Sequence, residues 1–248
     1  MMETTVKDNV MPQDKWKFDA EVTECFEDML SRSIPQYDIM RDSATELVYK
    51  SIKKGPKFTK EHFQVLDIGC SDGLMIQSLL DRFGDDGRFI GIDVSEPMLQ
   101  KAKFRFLDHI INKRVSIENC DLRTAFPSGV FDAVTSILSI QFTPIEYRQQ
   151  IIQQIYDCLS PANGCFVMVE KVLGNTHNIN KLFVDTYYDL KRQNGYTEEQ
   201  IERKRLSLEG VLVPVTNDWN IDLLKQAGFK QIDVFWKWMN FVGYIAFK

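Results

Sequence analysis

Short apolar runs alternate with amphipathic stretches through most of this chain, and each run is too brief to be a buried helix. Phe63–Ile68, Phe89–Asp93, Val115–Asn119, Phe131–Ile137 and Cys165–Val169 read as buried parallel strands bounded by turn residues. The intervening Leu74–Phe83, Glu96–His109 and Pro144–Leu159 carry helical spacing, with apolar positions recurring on one side. Strand, helix, strand in succession closes through right-handed crossovers, so the expected class is α/β, a doubly wound Rossmann-like sheet. Ile232–Trp236 and Phe241–Phe247 add a C-terminal antiparallel hairpin, for a seven-stranded and mostly parallel sheet.

A chain of 248 residues can bury one substantial core. The expected division is a flexible N-terminus over residues 1–15 and a single domain over 16–248. Helices at Asp19–Leu30 and Ser43–Ile52 would form a cap within 16–60. A helical insertion within 172–220 keeps Ile179, Leu182, Phe183, Tyr187 and Leu190 at helical spacing, stops at Asn194 and Gly195, and restarts with Thr197 and Gln200 as a capping box.

The chemistry concentrates where the first strand runs into its helix, through Asp67, Gly69, Cys70, Ser71, Asp72 and Gly73. In such sheets ligands bind at the carboxyl ends of the strands. Gly69 would let the backbone approach a ligand, Gly73 would let the helix pack onto the strand, and free amides at the helix start can meet a carboxylate. A pyrophosphate gains nothing from the anion at Asp67, whereas the ammonium and sulfonium of S-adenosylmethionine do. Ser71 also breaks the glycine spacing of a nicotinamide-binding loop. Asp93 ends the second strand, where it can accept from both ribose hydroxyls, and Asp121 follows the third, where it can accept from the adenine amino group. Three strand-end carboxylates with one glycine turn point to the class I methyltransferase fold and to an S-adenosylmethionine-dependent transferase.

The net charge of −5 offers no basic stripe for direct nucleic-acid binding, so a small-molecule substrate is expected. Cys25, Cys70, Cys120, Cys158 and Cys165 are scattered without metal-ligand spacing, which fits reduced thiols in a cytoplasmic protein with no metal. No segment reads as a signal peptide or a membrane span. Cys70 reads as a small loop residue, His62, His109 and His177 as surface or strand-edge residues, and Trp219, Trp236 and Trp238 as core or interface. Arg205 stands apart, because it lies four residues after Ile201 and three before Leu208 on their apolar face. It would either pair with Glu170, Asp185 or Asp189, or aim its guanidinium at an anion in the site.

From about Lys15 to its end the chain resembles the carboxy-S-adenosyl-L-methionine synthases. The resemblance lies in Phe18–Asp19, the stretch from Phe26 through Arg32, Ser33 and Pro35 to Tyr37, the loop Asp67–Ser71, and Ser139–Phe142. It continues in Glu170–Lys171, in Leu190–Tyr196 and in Lys204–Arg205. It implies that Tyr37, Gly69, Cys70, Ser71, Asp93 and Asp121 line the nucleotide site, with Asp67, Val94, Leu122 and Ile137 beside them. It also implies that Arg205 grips the carboxylate of the modified methyl group. The implied reaction joins a carboxyl group from prephenate to the sulfonium methyl of S-adenosylmethionine, giving carboxy-S-adenosyl-L-methionine for tRNA wobble-uridine modification. A homodimer is implied as well. Val94 and Ile137 stand where the family pattern has asparagine, so an ordinary methyltransferase acting on an unidentified small molecule is the alternative.

Overall fold

The computed structural model describes residues 6–53 and 63–248. His62 and the expected cap boundary at residue 60 lie outside the described residues. The sheet comprises β1 (Gln64–Ile68), β2 (Arg88–Asp93), β3 (Val115–Asn119), β4 (Ala133–Ile137), β5 (Cys165–Leu173), β6 (Val215–Thr216), β7 (Gln231–Trp238) and β8 (Phe241–Phe247). Its order is β3-β2-β1-β4-β5-β8-β7, with β6 joined to the far end of β5. The first five strands run parallel, and β8 is antiparallel to both β5 and β7. The expected doubly wound sheet and terminal hairpin are therefore present.

Neighbouring positions on β1 show how the core is divided. Val65 joins the apolar layer made with α3 (Tyr37–Lys53), α4 (Leu74–Phe83) and α5 (Glu96–Arg105), through Val48, Leu79 and Leu99. Leu66 turns to the other face, toward Ile151, Ile152 and Ile155 of α7 (Ile145–Cys158) and Leu224 of α10 (Asn217–Ala227). Alternation along a strand that is buried on both faces requires helices above and below it.

Several expected boundaries move, each for a local reason. The helix drawn over Asp19–Leu30 is two, α1 (Ala20–Glu24) and α2 (Phe26–Ser33), separated at Cys25, whose thiol faces Asp8. The helix drawn over Glu96–His109 breaks at Phe106 into α5 and α6 (Leu107–Ile111), because the Phe106 ring is drawn into the core beneath Gly73. β5 runs four residues past the expected Val169, to Leu173. Glu170 and Lys171 interrupt its apolar run, yet the strand continues to Val172 and Leu173, which pair with Val215 and Thr216 of β6. That makes an eighth strand and trims both ends of the expected insertion, which holds α8 (His177–Gln193) and α9 (Glu198–Leu208). The capping box of Thr197 and Gln200 forms at the start of α9.

The tail expected to be flexible over residues 1–15 is corrected from Asp8 onward. Asp8 is fully buried and Val10 nearly so. The Asp8 carboxylate accepts from Lys204 Nζ and from the Tyr196 hydroxyl, its amide donates to Asp28 at 2.8 Å, and its carbonyl accepts from Arg32 at 3.1 Å. Burial opposes ionisation of Asp8, but the bonds from Lys204 and Tyr196 outweigh it and hold the carboxyl below its ordinary range. No helix among the described residues is long and apolar enough to cross a membrane.

Candidate active site

The carboxyl ends of β1, β2 and β4, with the helices before the sheet and the insertion after it, enclose a cavity of about 570 Å³. That volume suits a nucleoside-sized ligand. All of the sequence-predicted site residues line it: Tyr37, Asp67, Gly69, Cys70, Ser71, Asp93, Val94, Asp121, Leu122, Ile137 and Arg205.

The turn after β1 is wound by left-handed residues. Gly69 has φ 67°, Ser71 φ 49° and Gly73 φ 92°. Ser71 thus adopts the conformation that glycine takes most easily. A side chain on Gly69 would collide with Ser139 Oγ, and one on Gly73 would collide with the Phe106 ring. Both glycines therefore clear space for protein neighbours, which corrects the expectation that Gly73 serves helix-on-strand packing.

The three carboxylates sit in different surroundings. Asp67 is buried, and Thr135 donates to its Oδ1 at 2.7 Å. Desolvation pushes its pKa up to about 7 against that bond, and the neighbouring Asp93 adds to the rise. Asp93 accepts from the Ser71 amide at 3.0 Å on one oxygen and from the Ser95 amide at 2.8 Å on the other, so a lone pair remains on each. Burial raises its pKa too. Asp121 is filled from its own turn: Oδ1 takes the amide and Nε of Arg123 at 3.0 and 2.9 Å, and Oδ2 takes Nη2 at 2.6 Å. Val94 stands exposed at the rim, whereas Ile137 packs partly into the core. Burial pushes the Tyr37 phenol up to about 12, so it enters the site as a neutral hydroxyl.

Arg205 lines the cavity with its side chain 37% exposed, and its partners are Glu202 on its own helix at 2.7 Å and Glu209 just past the helix end at 2.6 Å. The expected pairings with Glu170, Asp185 or Asp189 do not form. Glu170 instead accepts from the Ile140 amide at 3.1 Å, and burial drives its pKa to about 8 although Arg148 opposes the shift. The buried cation of α9 is Lys204. It is three residues after Ile201 and four before Leu208, so the spacing that singled out Arg205 marks Lys204 as well.

Two further lysines on the wall escaped the single-residue reading. Lys171 on β5 and Lys191 on α8 both sit over the Tyr187 ring, with their ammonium nitrogens 4.5 and 5.0 Å from its centre. Burial lowers Lys171 to about 7, helped by Lys191, and burial lowers Lys191 to about 8. Lys191 could have been found from its place one helical turn after Tyr187 on the apolar side of α8.

Residues 65–162 match a family described as a methyltransferase domain. The carboxy-S-adenosyl-L-methionine synthase of Methylococcus capsulatus is 36% identical over 236 residues, covering 95% of this chain and 94% of that protein. The enzyme of the same name from Nautilia profundicola is 36% identical over 234 residues, covering 94% and 95%. Among solved structures, an O-methyltransferase family protein from Burkholderia thailandensis superposes with a TM-score of 0.64 at 15% identity, covering 93% of this chain and 60% of that one. At that identity the likeness concerns the fold.

Proposed function

This chain belongs to the carboxy-S-adenosyl-L-methionine synthase family of S-adenosylmethionine-dependent transferases, and from that premise we propose that it carboxylates S-adenosylmethionine with a group taken from prephenate. The observation that carries the reading is the division of charge within one cavity. Among the described residues, Asp67 and Asp93 stand at the β2–β1 side with no side-chain cation bonded to them, while Lys171 and Lys191 stand toward β5 and the insertion with no carboxylate partner. Lys204, Arg205 and Arg123 are paired with carboxylates already. A cationic nucleoside suits the first side and an anionic co-substrate the second.

The residues present fit the nucleoside. The free lone pairs of Asp93 would accept the ribose hydroxyls, and Asp67 would face the ammonium and sulfonium charges. Val94 and Leu122 would flank the adenine, and Asp121 would reach its amino group once Arg123 lets go of an oxygen. The turn at Gly69, Cys70 and Ser71 and the Tyr37 hydroxyl would close the rest of the wall, with Ile137 beneath. When bound, S-adenosylmethionine supplies a methyl carbon whose C–H bonds are acidified by the adjoining sulfonium. Arg205, still partly exposed between Glu202 and Glu209, would turn to hold the carboxylate that arrives there. The reaction balances if prephenate loses its ring carboxyl and its hydroxyl to leave phenylpyruvate. The methyl proton then departs with that hydroxyl as water.

The product would serve tRNA wobble-uridine modification through another enzyme, since the net charge of −5 disfavours direct tRNA contact. A cytoplasmic homodimer completes the reading; the outer edge of β7, with Val234 and Met239 exposed beside it, supports an interface there. The test is to incubate the purified chain with S-adenosylmethionine and prephenate and to weigh the nucleotide by mass spectrometry. A mass gain matching the added carboxyl group is expected, together with phenylpyruvate. An unchanged nucleotide rejects the reaction.

A further inference from the structure

The cations of the cavity wall differ in how their charge is met. Lys204 is bonded to Asp8, Arg205 to Glu202 and Glu209, and Arg123 to Asp121. Lys171 and Lys191 have no carboxylate partner among the described residues; each has only aromatic faces against its ammonium. Asp8 is the anion that acts on Lys191 electrostatically, and it is already committed to Lys204. Glu170, next to Lys171 in sequence, leaves β5 on the opposite side and is held by the Ile140 amide.

Two ammonium groups within 5.0 Å of the centre of one ring repel each other, and burial deprives them of water. The Tyr187 ring offsets part of this through cation–π attraction but cannot neutralise two charges. A ligand with two negative charges would. We propose that Lys171 and Lys191 form the binding subsite for a dicarboxylate co-substrate, holding it over Tyr187 and against the methyl-bearing end of the bound nucleoside. This rests on the carboxyl-transfer reading above and adds to it the groups that select the donor. Prephenate carries two carboxylates and phenylpyruvate one, so the same pair would favour substrate over product.

The pair acts on binding, so the test reads affinity. The full chain saturated with S-adenosylhomocysteine, which has no methyl group to carboxylate, is titrated calorimetrically with prephenate and with phenylpyruvate. Prephenate is expected to bind more tightly. Lys171→Met and Lys191→Met should each weaken prephenate by about tenfold to a hundredfold, the usual worth of a charge-assisted hydrogen bond. Lys171→Arg and Lys191→Arg should keep most of the affinity, and S-adenosylhomocysteine should bind every variant within about twofold, as a separate set of contacts requires. Unchanged prephenate affinity in either methionine variant overturns the proposal. If a methionine variant does not fold, equal affinity of the parent chain for the two ligands overturns it instead. Lysine-dependent prephenate binding without any carboxylated nucleotide in turnover would sink the reaction and leave the subsite. Turnover with an unchanged prephenate KM in the methionine variants would sink the subsite alone.

Discussion

Asp93 and Lys171 both face the cavity from the last part of a parallel strand, yet one is furnished with partners and the other is not. The Asp93 carboxylate is met by two backbone amides, Ser71 from the turn after the neighbouring β1 and Ser95 from its own loop, an arrangement that needs only two adjacent strand ends. Lys171 finds only aromatic faces, brought by α8 and β8. Lys204 is an intermediate case, its charge neutralised from the far end of the chain by Asp8. The side proposed for the nucleoside is thus preorganised by adjacent strand ends of one sheet. The side proposed for the co-substrate holds charge in reserve, assembled from segments distant in sequence.

The largest effect should come where that second side is tied together. Asp8→Asn leaves the Lys204 ammonium buried without its carboxylate, which should cost about 3–5 kcal/mol in urea denaturation. A loss below about 1 kcal/mol, typical of an exposed pair, would mean that the N-terminal segment does not support α9. Next in size, Asp93→Ala should weaken S-adenosylmethionine about a hundredfold or more in calorimetry, since it would remove the two charge-assisted ribose contacts proposed for it and untie the Ser71 amide. Asp121→Asn, already occupied by Arg123, should cost about tenfold or less. Equal losses would erase the distinction between a preorganised acceptor and one that must first be released.

A third test concerns protons. With Asp67 titrating near 7 in the free chain, a cationic ligand draws it into the ionised form, so binding below that pH releases a proton. Affinity for S-adenosylmethionine should rise with pH up to about 7, by at most about tenfold per pH unit, and then level off. Calorimetry in buffers of different ionisation enthalpy would reveal the released proton, and a flat profile would remove Asp67 from the cation's surroundings. The smallest effect is a gain. Lys171→Met should raise the stability of the ligand-free chain by roughly 1 kcal/mol at pH 6, because an unpaired buried charge is removed. The folded pKa of about 7 lies below the ordinary 10.5, so the unfolded chain binds more protons between them. That contribution to stability is complete above 10.5 and is lost as pH falls through 7, so the parent chain should gain more between these values than the variant does.

Most of the sheet was legible because parallel strands buried on both faces must be continuously apolar, and β1, β2 and β4 lie within two residues of the apolar runs that mark them. The pattern failed where tertiary contacts supplied what local sequence lacked. Glu170 and Lys171 look like a strand end until the Ile140 amide and the Tyr187 ring are in place around them. Cys25 and Phe106 look like helix interior until Asp8 and Gly73 take up the thiol and the ring. The expected residues of the β1 turn and the strand ends reached the cavity because they share one edge of the sheet, and Tyr37 and Arg205 are carried to it by α3 and α9.

The order of residues is enough to specify the crossover sheet, the glycine turn and the acidic strand ends, since these depend on periodicity and on neighbours a few positions apart. Which cations are neutralised and which stay bare could be read only from the folded chain. Charge pairing depends on distance in space, and Asp8 reaches Lys204 across 196 positions while Lys171 and Lys191 meet over a ring that neither strand nor helix pattern could place.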